Sequence, residues 1–346
     1  MHDLTPRNVI AARPHTRLYA RAWLAIRLLI VGAIFYFIFA SLVRNWQQLK
    51  AHEFSLAWRP LVLSYLAFLA YLFNRSLIWH WITRRFGCAI PLPKAIAAWF
   101  YSLLGKYVPG KVFLLAGRLH FYHQEGRSAL RTSMCFMLEA ICVLLATVLV
   151  LLMAPLFADL PLIAHYRTPA LILLVLFLLA IRPRHMELLA NPLLKLARRA
   201  PISLPIRYLD VLSVVAVFTV NWTLLALGFF LFVSALYPVD VRYLFYLAGS
   251  FALASTIGIL ALFVPAGLGV REAVLMVALR AIMPEGIAIV VTLASRIWMT
   301  SGELVSVGVV ALALRPGKRP PSPGSTGKEP PGEAANSEVL RSCNEC

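Results

Sequence analysis

Two segments, one in each half of the chain, place an arginine shortly after a proline-glycine break. The first is GKYVPGKVFLLAGR, Gly105–Arg118, and the second is PAGLGVRE, Pro265–Glu272. Proline removes a helical hydrogen-bond donor and glycine loosens the backbone, so each segment predicts an interrupted helix. The following arginine offers a forked, permanently charged donor suited to a phosphate, and the helix beginning after each break aims its N-terminal amides at an anion. The pattern therefore predicts anion binding at the breaks.

The charged residues near these breaks are the candidate site. The candidate phosphate ligands are Arg118, Arg271, Arg296 and Lys111, the broken-helix residues are Pro109, Gly110, Gly117, Pro265, Gly267 and Gly269, and the candidate charge partners are Glu139, Glu272 and Glu303. A charge near the bilayer centre costs about 2.5–3.5 kcal/mol, so it needs a partner or a role. Two interpretations stay open: the arginines bind a phosphate, or they pair between helices, for example Arg118 with Glu139 and Arg271 with Glu303. Arg75, Lys106 and Lys111 have a simpler explanation, because a long cationic side chain near a helix end can reach the membrane interface.

Other kinds of chemistry find little support in the sequence. His120 and His123 stand three residues apart without a cysteine or carboxylate cluster, which favours a surface helix over a metal site. The CxxC spacing of Cys343 and Cys346 is isolated in a polar tail. There is no Walker loop, nucleophile elbow or zinc-helix motif. We therefore expect no metal, no cofactor and no catalytic residue.

The amino-acid composition indicates what kind of protein must hold these residues. Of the 346 residues, 60% are hydrophobic and only 14% are charged, against about 25% charged in a soluble domain. The net charge of +18 comes from residues in the gaps between apolar runs, so it indicates membrane topology, and nucleic-acid binding is not expected. The sequence predicts an all-α, polytopic membrane helical bundle.

A membrane span needs about 20 mostly apolar residues. The predicted spans are roughly 22–43, 60–82, 130–154, 168–182, 210–236, 243–263 and 286–314. His185–Arg199 is predicted to be an amphipathic surface helix. Of the interrupted segments, 95–118 is predicted to be a re-entrant hairpin and 264–283 a short crossing, which gives about eight crossings. Because one break of the same kind lies in each half of the chain, the two also indicate an internal repeat.

Lysine and arginine counts orient the bundle. One set of gaps holds eighteen such residues and the other five, so the basic set is predicted to be cytoplasmic. Both termini then lie in the cytoplasm of a bacterial inner-membrane protein. Three regions follow: a basic N-terminal arm at 1–21, a transmembrane domain at 22–314, and a disordered tail rich in proline and glycine at 315–346.

Residues Gly105–Arg118 and Pro265–Glu272 resemble the flippase-like membrane family typified by the transmembrane region of lysylphosphatidylglycerol synthases. The resemblance covers about residues 20–315 and implies a lipid-handling membrane domain. In those synthases a separate soluble domain attaches lysine, and this chain shows a polar tail in its place. The resemblance therefore implies lipid translocation without transferase activity.

Three hypotheses follow for function. The first is a non-enzymatic protein that translocates or handles an anionic phospholipid or lipid-linked intermediate, with membrane lipids as its partners. The second is a membrane enzyme that acts on a lipid-linked donor. The third is an accessory subunit of a separate lipid-modifying synthase.

Overall fold

The computed structural model describes residues 43, 56–107, 112–158, 160–180, 208–261, 267 and 269–314. Within these ranges every regular element is helical, which confirms the all-α prediction. The helices longer than one turn are α1 Trp58–Arg85, α2 Leu92–Leu103, α3 Val112–Gln124, α4 Ala129–Phe157, α5 Arg167–Ala180, α6 Tyr208–Leu236, α7 Leu244–Leu260, α8 Val270–Leu279 and α9 Glu285–Ala313. A 3-10 turn at Leu104–Tyr107 follows α2.

Five of these helices, α1, α4, α6, α7 and α9, are long and apolar enough to cross a membrane. They confirm the predicted spans at 60–82, 130–154, 210–236, 243–263 and 286–314. Helix α5 has 14 residues and is about 21 Å long, which is less than a hydrocarbon core of about 30 Å. The predicted span at 22–43, the surface helix at 185–199 and the tail lie outside the described residues, except for Val43, and the count of about eight crossings stays a prediction.

The bundle has an aromatic interior and an apolar exterior. Trp79, Trp99 and Trp298 are almost completely buried. Outward-facing positions are also apolar, for example Val220, which is 67% exposed, and Ile297, which is 69% exposed. An apolar exterior of this kind is suited to lipid, because it has no polar groups to lose hydration.

Contacts between helix ends define the two ends of the bundle. At one end the Sγ atoms of Cys88 and Cys135 are 3.4 Å apart, which joins the end of α1 to the start of α4. At the other end the rings of Phe157 and Phe245 lie 5.4 Å apart, which joins the end of α4 to the start of α7. We call these the α1-exit end and the α4-exit end.

The first broken segment forms a hairpin of two short helices. Helices α2 and α3 have 12 and 13 residues, so each is about 18–20 Å long and too short to cross a membrane. The Nζ atom of Lys94 lies 2.7 Å from a carboxylate oxygen of Glu125, which holds the outer ends of the two helices together. Two short paired helices are compatible with the predicted re-entrant hairpin, and its entry into the membrane stays a prediction. Its predicted turn residues Pro109, Gly110 and Lys111 lie outside the described residues.

The second broken segment reverses the chain between α7 and α8. The Tyr246 hydroxyl donates to the Ala278 carbonyl at 2.8 Å, so α8 ends beside the start of α7. Gly267 has a φ of +67° and would place a Cβ atom 2.8 Å from the Gly258 carbonyl oxygen, so this position requires glycine. Helix α8 is only about 15 Å long. The predicted crossing at 264–283 depends on neighbours outside the described ranges, including Pro265, and stays a prediction.

Candidate functional site

Glu139 on α4 is the centre of a buried ion-pair cluster. It is 2% exposed and accepts hydrogen bonds from the guanidinium groups of Arg118 and Arg75, the latter at 3.1 Å. The indole nitrogen of Trp99 donates to the same carboxylate at 3.3 Å. One carboxylate therefore joins α1, the α2–α3 hairpin and α4.

Arg118 is enclosed on all the sides that the structure describes. Its Nε donates to the Ser102 hydroxyl at 3.2 Å, and Gly117 packs closely against the same serine. Its guanidinium carbon lies 4.2 Å from the Trp79 ring centroid, within the range of a cation–π contact. The charge of Arg118 is therefore balanced by Glu139, and its N–H donors are largely satisfied by protein acceptors. This is the pairing between helices that the sequence offered as the alternative to a phosphate contact.

A second group of ion pairs connects both broken segments with α9. Lys106, in the 3-10 turn after α2, pairs with Glu303, which is 3% exposed. The Arg296 guanidinium lies 3.5 Å from the Glu272 carboxylate. Glu303 therefore receives its cation from the hairpin, and the alternative pairing of Glu303 with Arg271 is absent from the described part of the chain.

Glu272 also caps the helix on which it lies. Its second carboxylate oxygen accepts the Gly269 amide at 2.6 Å, and Gly269 itself has a φ of +82°. A carboxylate at a helix N-terminus offsets the positive end of the helix dipole. At α8, the amides predicted to face an external anion are therefore partly occupied by the protein's own acid. The corresponding amides at the start of α3 follow residues outside the described ranges.

Arg271 has the opposite environment from Arg118. It is 8% exposed, and its Nε and Nη2 find no hydrogen-bond partner among the described residues. Its guanidinium carbon lies 4.5 Å from the ring centroid of Phe251, which leaves the group supported by an aromatic face. Buried guanidinium donors without acceptors are costly, and a ligand with acceptor oxygens would supply them.

Arg271 lines a cavity of about 240 Å³ inside the bundle. The charged residues of its wall are Arg75, Lys106, Arg271 and Glu303. Three cations against one carboxylate make the wall electropositive, and the aromatic rings of Tyr71, Trp99 and Phe251 form much of the rest. The arrangement can hold an anion in a low-dielectric setting, where charge–charge attraction is stronger than in water.

Among the described residues, Arg271 is the one predicted phosphate ligand that lines the cavity, while Arg118 and Arg296 pair with Glu139 and Glu272 outside its wall. Lys111 lies outside the described residues, and the structure adds Arg75 and Lys106 to the wall. Arg75 and Lys106 do not extend to the interface as predicted, because each is paired with a buried acid and lines the cavity. The position of Arg75 along its helix could have indicated this. Arg75 lies ten residues, about 15 Å, before the end of α1, which is far for a side chain to reach the interface. Asn74 on the same helix donates to Asn221 of α6 at 2.8 Å.

Metal chemistry gains no support from the described residues. They contain no group of three histidine, cysteine or acidic side chains placed to hold a metal ion. His120 and His123 lie exposed near the end of α3.

The comparisons with known proteins bear on this membrane architecture. The family model described as "Lysylphosphatidylglycerol synthase TM region" matches residues 24–301. No curated protein and no solved structure gives a significant match. The matched range includes both broken segments, four of the five long apolar helices in full and α9 as far as Ser301. It also includes every charged residue of the cavity wall except Glu303. This chain is a multi-pass membrane protein that belongs to the family of lysylphosphatidylglycerol synthase transmembrane regions.

Proposed function

We propose that the protein binds the phosphate of an anionic phospholipid or lipid-linked intermediate in the central cavity and carries it across the membrane. The observation that carries the proposal is Arg271, a buried guanidinium with two unsatisfied nitrogens in an electropositive cavity. Membership of a family named for a lipid-synthase membrane region supports a lipid as the source of the phosphate.

The energetics of such a contact favour Arg271 over the other cations. A hydrogen bond to a charged group contributes about 1.5–3 kcal/mol, and the contribution is lost if the donor is already paired. Arg118 and Arg75 share Glu139, and Lys106 pairs with Glu303, so a phosphate at these cations competes with a carboxylate. A phosphate at Arg271 meets donors that have no acceptor among the described residues.

The ion pairs of three buried acids, Glu139, Glu272 and Glu303, favour transport over lipid-modifying catalysis. Glu139 accepts from three side chains, Glu272 pairs with Arg296 and caps α8, and Glu303 pairs with Lys106. A general acid or base must be able to exchange a proton with a substrate, and each of these carboxylates is held by a cation. A separate lipid-modifying enzyme is then the proposed source of the lipid, and the accessory role is compatible with transport.

The test is transport of fluorescently labelled phosphatidylglycerol across proteoliposomes that contain the purified protein. Arg271→Gln keeps much of the side-chain volume and removes the charge. Because each 1.4 kcal/mol is a factor of ten, we expect Arg271→Gln to slow transport about 10- to 100-fold. The matched control is Arg280→Gln, which changes a 46% exposed arginine just beyond the same helix.

The melting temperature of each variant in detergent separates function from folding. Arg271→Gln removes an incompletely satisfied buried charge, so its melting temperature should equal or exceed that of the unaltered protein. Transport by Arg271→Gln at the rate of Arg280→Gln refutes the proposed phosphate contact. Transport that falls together with the melting temperature refutes it as well, because the loss is then one of folding.

A further inference from the structure

An apolar groove runs between α4, α6 and α7. It has a volume of about 540 Å³ and is lined by Met153 and Phe157 of α4, Thr223 and Leu227 of α6, and Phe245 and Ala248 of α7. None of the groove's lining residues is charged. The groove therefore offers burial to a hydrocarbon and no site for an ionic group.

The groove continues from the electropositive cavity along the same three helices. Thr147 of α4 and Phe251 of α7 line the cavity, and Val150 and Ala248, one turn away on the same helices, line the groove. Trp222 of α6 lines both spaces, so the two meet at this residue.

Aromatic contacts lead from the charge to the groove. The guanidinium of Arg271 stacks on Phe251, whose ring centroid is 6.3 Å from that of Trp222. Polar and apolar binding spaces are thus adjacent, with one aromatic residue at their boundary.

We propose that this groove holds one acyl chain of the glycerophospholipid whose phosphate contacts Arg271. The inference rests on the proposed function and names the lipid class for it. The groove is lined by uncharged, mostly apolar side chains and opens at the exposed face of α6, so it suits the hydrocarbon that a bilayer supplies there, an acyl chain.

The position of the groove also assigns a route. Thr223 and Leu227 are exposed on the surface of α6, and the groove opens where the bilayer supplies acyl chains. A lipid can therefore leave its chain among the hydrocarbon-facing helices while its headgroup reaches the cavity. This spares the protein from enclosing the whole lipid.

The experiment fills the groove and leaves the cavity unchanged. Thr223→Trp places an indole in the groove, and the matched control Val220→Trp places the same group on an outward position of α6 that does not line it. Because buried methylene groups drive acyl-chain binding, we expect Thr223→Trp to slow transport of labelled dioleoyl phosphatidylglycerol about tenfold or more. Val220→Trp should transport it at the rate of the unaltered protein.

A second measurement isolates the headgroup. Dihexanoyl phosphatidylglycerol and inorganic phosphate are added separately to the detergent-solubilised protein, and the rise in melting temperature is recorded. Thr223→Trp should keep the full response to the short-chain lipid, and Arg271→Gln should lose it. A response to inorganic phosphate equal to that of the short-chain lipid assigns the cavity to free phosphate and overturns the lipid assignment.

The outcomes separate this inference from the proposed function. Equal transport by Thr223→Trp and Val220→Trp overturns the acyl groove, while the phosphate contact stands if Arg271→Gln is slow. Loss of the short-chain response in Thr223→Trp also overturns it, because the substitution then disturbs the cavity. Faster transport of a polyprenyl phosphate than of the dioleoyl lipid overturns the assigned lipid class.

Discussion

Arg118 and Arg271 follow the two proline-glycine breaks, and their surroundings assign them different roles. Arg118 has a carboxylate, a hydroxyl and an indole face within contact distance. Arg271 has an aromatic face and two nitrogens without described acceptors. The first arginine therefore holds the hairpin to α4, and the second has the unsatisfied donors that the proposed phosphate contact requires.

The stabilising role of the first cluster predicts a large effect at Glu139. Glu139→Gln leaves the buried Arg118 and the half-buried Arg75 without their shared carboxylate, and breaking a buried pair from one side costs about 3–5 kcal/mol. We expect a clear fall in the detergent melting temperature. The control is Glu125→Gln, which breaks the exposed pair with Lys94 and should cost no more than about 1 kcal/mol. Equal melting temperatures for the two variants would contradict the buried cluster.

The sequence could predict the pairing of Arg118 but not the state of Arg271. Both Arg118–Glu139 and Arg271–Glu303 were sensible pairings by type and position, and only the first occurs among the described residues. Lys106 reaches Glu303 because the α2–α3 hairpin packs against α9. That proximity depends on how two distant segments pack against each other, and residue spacing along one helix cannot predict it.

At the scale of elements, the close approach of α1 and α9 depends on a glycine, Gly302, at the point where the two helices cross. A Cβ atom at Gly302 would lie 2.6 Å from Cδ1 of Phe68, and Phe68 is fully buried. The Tyr65 and Ser301 hydroxyls are 2.7 Å apart at the same crossing. Glu303 follows Gly302 directly, so the crossing also positions an acid of the cavity wall.

Gly302→Ala should therefore destabilise the protein by about 1–3 kcal/mol, the usual cost of overpacking a well-packed interior. Gly308→Ala is the matched control on the same helix, because a Cβ atom there meets nothing within 4 Å in the described part of the chain. Alanine is also the better helix former, so Gly308→Ala should not lower the melting temperature. The pair is compared by thermal unfolding in detergent, and equal effects of the two substitutions would count against this crossing.

The elements were more predictable from sequence than their depth. The apolar runs gave the five long helices within a few residues, because the hydrocarbon core sets a minimum length for any span. The breaks were also found, since Gly267 and Gly269 adopt positive φ angles where the sequence placed an interruption. The sequence could not predict that α8 lasts only ten residues or that Glu272 caps it, because both depend on local backbone geometry.

For the whole molecule, the two ends of the bundle differ in charge. Arg84, Arg85, Lys94, Arg127 and Arg131 lie at the α1-exit end, while Arg59, Arg167, Arg242 and Arg280 lie at or near the α4-exit end. The backbone amide of Ala57 donates to the Ala235 carbonyl at 2.9 Å, which places the start of α1 beside the end of α6. The richer basic end is the one that the positive-inside rule assigns to the cytoplasm.

This orientation predicts opposite labelling of two exposed histidines. His123 lies near the end of α3 at the α1-exit end, and His165 follows α4 at the other end. His165→Cys should react with a membrane-impermeant maleimide in intact spheroplasts, and His123→Cys should react only after the membrane is opened. Both changes are made in a Cys343→Ser, Cys346→Ser background, whose remaining cysteines, Cys88, Cys135 and Cys142, are buried and should not react. Labelling of His123→Cys in intact spheroplasts would show that the bundle has the opposite orientation, with the α2–α3 hairpin at the outer face.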